Sequence, residues 1–136
     1  MTHWIFISNP NQFRMNDCLN ECGFVEYLQR NKVCVGDIVF LYSTAPIQRI
    51  EYKMVVERTD ILFEESYDDR RFASDVNNRA THRGDKFFRL QLIKGVESSK
   101  LSLVSLRNHG LKSSMQGPLK VSGHLLDYIE EQFSCK

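Results

Sequence analysis

The chain has 136 residues, 42% hydrophobic and 26% charged, with a formal net charge of +1. That length and balance fit one globular domain spanning 1–136 with an ordinary core, and exclude a disordered or fibrous chain. No apolar run nears the roughly 18–20 residues of a membrane-spanning helix, and Met1-Thr2-His3-Trp4 lacks a basic signal region. A cytoplasmic protein with no membrane partner is therefore expected.

The charge is unevenly distributed. The stretch from Arg70 to Lys120 carries a net +8, and the rest of the chain −7. Such a split either presents a basic face to a polyanion or lets the two parts pair within the fold. The cysteines, Cys18, Cys22, Cys34 and Cys135, are irregularly spaced, as expected of free thiols. A zinc site built on them lacks the close CxxC pairs and needs His3 or His82 as a fourth ligand, so no metal and no cofactor is expected.

In chain order, His3–Ser8 reads as a buried strand, stopped by Asn9-Pro10 because proline fixes φ and restricts its predecessor. Asn16 is placed to cap a short helix running to Glu21 and ended by Gly23. Phe24–Lys32 reads as a connector. Gly36-Asp37 signals a turn, and Ile38–Ser43 follows as an apolar strand that delivers Tyr42 and Ser43 to a loop. Over Arg49–Arg58 the alternation predicts a half-buried strand with Ile50, Tyr52, Met54 and Val56 on one face. Thr59–Asp85 has almost no period and reads as a long loop.

Lys86–Lys94 alternates again and closes at Gly95. Ser102 is a cap for one or two helical turns ending near Gly110. Met115-Gln116-Gly117-Pro118 is a stiff loop. Ser122 caps a final helix with Leu125, Leu126, Ile129 and Phe133 on one face, and Val121 with Leu126 forms a hydrophobic staple. Strands separated by irregular loops, with helices near the ends, indicate an α+β fold; a small twisted barrel or half-barrel fits them. The glycine fingerprints of dinucleotide and phosphate sites are absent.

Several of these segments carry a family resemblance. Trp4 with Ser8-Asn9-Pro10, the Gly36–Ser43 strand, Arg49–Lys53, and Leu111 with Gln116-Gly117-Pro118 and the closing helix resemble, in order and spacing, an EVE domain of the PUA-like superfamily. YTH, SRA and ASCH domains are relatives. The resemblance implies a PUA-like twisted β-barrel of five or six strands with flanking helices. It places the first strand beside Gly36–Ser43 and the last helix over one barrel end. It also implies nucleic acid as partner and a flipped, modified base as ligand. In this family an effector nuclease or ATPase is often fused; here it is expected as a separate protein.

An extruded base needs aromatic faces to stack on and a few polar groups to read its edge. Trp4 and Tyr42 are the candidate faces, and Ser8, Asn9, Ser43 and Gln116 the candidate readers, with Gly117 allowing close approach. Arg79, Arg83, Lys86, Arg89 and Lys112 are the candidate phosphate contacts. This inventory holds no titratable group at a reacting atom, so a reader is expected rather than an enzyme and no catalytic residue is assigned. Modified DNA, with modified cytosine foremost, is favoured over RNA. An RNA-binding relative, or a small-ligand protein or enzyme using the same pocket, is the alternative.

Overall fold

The computed structural model describes residues 1–73 and 85–134. One sheet of six strands organises it: β1 His3–Ser8, β2 Phe24–Leu28, β3 Ile38–Ser43, β4 Arg49–Leu62, β5 Lys86–Gly95 and β6 Leu119–Val121. The order across the sheet is β2-β5-β4-β3-β1-β6. The pairing of β1 with β3 is parallel and every other pairing is antiparallel. Among the described residues three α-helices flank the sheet: α1 Met15–Cys22, α2 Leu103–Asn108 and α3 Gly123–Ser134. This is the curled, mixed half-barrel of an α+β, PUA-like fold.

The unbroken apolar runs of β1 and β3 have a simple cause. Both strands are buried on both faces, which removes the polar half of a strand's alternation. On one face Trp4, Phe6, Val39 and Leu41 join Met54, Val56, Phe88 and Leu90 beneath Met15, Cys18 and Leu19 of α1. On the other, Ile5, Phe40 and Tyr42 join Ile50, Leu106, Ile129 and Phe133, so α2 and α3 cover that side. Each fully buried Leu, Ile or Phe contributes about 1.5–3 kcal/mol, so two such layers are an ample core for this length.

Four sequence expectations need correction. Phe24–Leu28 is a strand rather than a connector, with Glu26 opposite Arg89 in β5. β4 runs on to Leu62, into the stretch expected to be loop. Asn16 lies inside α1 rather than capping it, and its Oδ1 accepts from the Tyr52 hydroxyl at 3.1 Å. The simple alternation of β4 also fails: Tyr42 pairs with Ile50 but Leu41 pairs with Tyr52, leaving Glu51 as an extra, bulged residue. A bulge reverses the parity of everything beyond it. Ile50 therefore enters the α3-side core while Met54 and Val56 enter the other.

Helix ends follow local chemistry. Gly23 ends α1 with φ +76°, and its N–H reaches Leu19 O at 2.8 Å. Ser102 caps α2 by accepting from Ser105 N. α2 terminates as a Schellman motif, with Leu111 N bonded to Leu106 O and Gly110 at φ +113°. The segment joining β1 to β3 is pinned by Asp37. That carboxylate is 3% exposed and accepts from Thr2 N, Trp4 Nε1 and Cys34 N at 3.0–3.2 Å. Burial alone raises its pKa, but these hydrogen bonds outweigh burial and the net shift is downward.

Candidate nucleic-acid interface

The shared end of β1 and β3 carries the polar residues that the sequence singles out. Ser8 and Ser43 are register partners on adjacent parallel strands, so their side chains share a face. Both are nearly buried, at 7% and 4% exposure. Ser43 Oγ donates to Glu51 Oε1 at 2.7 Å, and Arg49 donates to the other carboxylate oxygen at 3.2 Å. The Arg49 Nε–H is buried with no protein acceptor, an unmet donor beside this network. The β4 bulge is what turns Glu51 toward Ser43, because Glu51 has no cross-strand partner of its own.

Tyr27 of β2 closes the other side. Its hydroxyl donates to Ile7 O at 3.0 Å, and burial pushes its pKa up, so it remains a donor. Its ring packs edge-on to Phe6 at 5.7 Å, which fixes the ring below Ser8. No feature of the sequence distinguished Tyr27, Arg49 or Glu51, because their role follows from pairings between distant strands.

The remaining expected residues fall into distinct environments. Asn9 forms an Asx turn, its Oδ1 accepting from Asn11 N at 2.9 Å, and it stays partly exposed beside Ser8. Gln116 is exposed and Gly117 half-buried. The β1–β6 register sets Leu119 opposite Ile5, so the 115–118 loop enters β6 at the Ile5 end of that pairing. Trp4 and Tyr42 do not line one opening. Their strands are adjacent but parallel, and the side chains project to opposite faces, into separate cores at 4% and 2% exposure. Neither ring offers a free face for stacking.

The expected phosphate contacts divide similarly. Arg79 and Arg83 lie outside the described residues. Arg89 is committed to structure: Nε and NH2 both donate to Glu26 Oε2, at 3.0 and 2.7 Å, and its guanidinium lies 4.1 Å from the Phe24 ring centre. Lys86 lies 3.8 Å from Asp60, with both side chains more than half exposed. Lys112 is exposed. Arg71–Glu21, Lys86–Asp60 and Arg89–Glu26 each join a cation of the basic stretch to an acid outside it. Three of the eleven cations of that stretch are thus paired with acids from outside it.

No family model matches the chain, and no curated protein matches its sequence. Solved structures match its fold over nearly the whole length. An ASCH protein from Zymomonas mobilis superposes with a TM-score of 0.69 at 11% identity, covering 96% of this chain and 94% of that one. Human THYN1, solved in complex with 5-methylcytosine-containing DNA, superposes with a TM-score of 0.65 at 11% identity, covering 100% and 99%. A protein from Leishmania major reaches 0.63 at 19% identity, covering 97% and 94%. At these identities the likeness establishes the PUA-like fold.

Proposed function

We propose that this chain is a nucleic-acid-binding module that reads a modified base, with 5-methylcytosine in DNA as the leading ligand. The observation that carries the reading is the end-to-end likeness to a domain solved on 5-methylcytosine DNA. The polar network at the end of β1 and β3 supports it. An extruded cytosine offers an exocyclic amino group that a carboxylate such as Glu51 can accept, and carbonyl and ring-nitrogen acceptors for hydroxyl and guanidinium donors. Arg49, whose Nε–H has no protein acceptor, and Ser8 supply those donors, while the Ser43 hydroxyl holds Glu51, with Asn9 and the Gln116-Gly117 loop at the margin. On this reading Trp4 and Tyr42 serve the scaffold. The chain acts as a specificity module for a separate nuclease or ATPase effector, and not as an enzyme.

The test is direct binding of the pure protein to matched oligonucleotides: DNA with 5-methylcytosine, the same DNA unmodified, and the corresponding RNA. Tighter binding to modified DNA supports a reader. Equal affinity for both DNAs leaves a backbone binder, and tighter binding to RNA transfers the function to RNA.

A further inference from the structure

Away from the Ser8–Ser43 network, on the α2–α3 side of the molecule, three rings form a ladder at the margin of the core. The His109 ring lies 3.6 Å from the Tyr128 ring, centre to centre, at an interplanar angle of 9°. His124, one helical turn before Tyr128 on α3, lies 6.0 Å from His109 at 25°. The Schellman turn brings this segment against α3: a Cβ placed on Gly110 would lie 3.9 Å from Leu125 Cβ. His109 Nδ1 sits 2.8 Å from Ser105 O; the carbonyl can only accept, so the proton is on Nδ1 and Nε2 is left for another partner. The Tyr128 hydroxyl donates to Lys100 O at 2.6 Å, which ties the ladder to the 3-10 turn Ser99–Leu101.

The charges around the ladder are mostly positive. Lys100 comes from the 3-10 turn, Arg107 from α2 and Lys112 from the segment after it, all exposed. The acids of α3 on this stretch are Asp127 and Glu131, also exposed. The buried Tyr42 hydroxyl, close enough to Arg107 for the cation to lower its pKa against the rise caused by burial, is the titratable group contributed by the sheet. His124 is exposed, so the ladder ends in an open ring face.

We infer that this ladder is a docking surface for a single-stranded stretch of nucleic acid: one base stacks on the His124 ring, and adjacent phosphates contact Lys112, Arg107 and the His109 edge. Flat rings accept any base and cations track the backbone, so this contact is indifferent to sequence and modification. The inference extends the proposed function by locating a strand contact separate from the Ser8–Ser43 network.

The experiment titrates an unmodified single-stranded DNA oligonucleotide against the whole chain and two variants. His124→Ala is expected to weaken binding on the order of tenfold, the scale of one lost stacking contact. Lys112→Ala should reduce the slope of log K against log salt by about one. Thermal melting checks that each variant is folded; His124 and Lys112 are exposed, so both single variants report on binding. Unchanged affinity in His124→Ala together with an unchanged salt slope in Lys112→Ala overturns the inference, as does absence of binding by the unaltered chain. The reader proposal fails on a different readout, equal affinity for methylated and unmethylated DNA, which leaves these measurements intact.

Discussion

Ser8 and Ser43 face the same way from the last register position that β1 and β3 share, and Ser43 is hydrogen-bonded to the bulged Glu51. Removing that hydroxyl tests whether the network serves ligand or scaffold. Ser43→Ala should cost about 1 kcal/mol of stability, because Glu51 keeps its contact with Arg49. It should also reduce the ratio of affinities for methylated over unmethylated DNA. A preserved ratio would assign Ser43 to the scaffold alone.

Tyr42 and Trp4 lie in different cores, and this changes what their substitution reports. Tyr42→Ala deletes a ring that is 2% exposed and should cost about 3–5 kcal/mol, visible as a large fall in melting temperature. Tyr42→Phe should leave the core filled and melt close to the unaltered chain. If Tyr42→Ala instead melts normally and binds poorly, the ring is a ligand contact after all.

Arg89 separates a structural cation from a phosphate contact. Glu26 beneath it has a side chain only 2% exposed, and that carboxylate also accepts from Tyr67 N at 2.7 Å. Arg89→Ala leaves a buried carboxylate without its cation and should cost about 3–5 kcal/mol in denaturant unfolding. The salt dependence of oligonucleotide binding by the folded fraction should not change. A flatter salt slope with normal stability would return Arg89 to the interface.

Asp37 predicts an acid limit to stability. Its folded pKa lies below the ordinary value of 3.8. The group therefore contributes stability above its unfolded pKa, and that contribution is lost as pH falls through the folded value. Asp37→Asn should reduce stability at pH 7 and flatten the fall in unfolding free energy below pH 4. An equally steep fall in the variant would place the acid sensitivity elsewhere.

The cysteines should differ sharply in reactivity. Burial, with smaller contributions from Cys22 and Asp69, pushes the Cys18 thiol up to about 12, whereas Cys34 is exposed. Alkylation of the native protein at pH 8 should label Cys34 rapidly and Cys18 only after unfolding, as peptide mass mapping would show. Early labelling of Cys18 would mean that α1 opens readily.

What the sequence discloses depends on how local the cause is. His3–Ser8 and Ile38–Ser43 are legible as buried strands because burial on both faces leaves an uninterrupted apolar run. The Ser102 cap and Gly23 stop are equally legible, since both act within one helical turn. β2 is not: Phe24-Val25-Glu26-Tyr27-Leu28 holds a charged residue at its centre, and the arginine that makes this tolerable is 63 positions away. β6 has three residues, too few for any period. The parity reversal at Glu51 is also silent, since a bulge is decided by the partner strand. That reversal, together with the parallel sense of β1 and β3, separates residues that spacing alone seemed to join. Ser8 and Ser43 are neighbours across β1 and β3, whereas Trp4 and Tyr42 lie in different cores.

The position of β1 has a consequence for synthesis of the chain. It is the first of the six strands to be made, yet it is clasped on one side by β3 and on the other by β6, the last of them to be made. Until β6 emerges, the growing chain carries an apolar strand with an open hydrogen-bonding edge, a template for pairing with other chains. Products truncated before Leu119 should therefore aggregate even though five of the six strands are present. A peptide supplying 117–134 in trans should rescue their solubility.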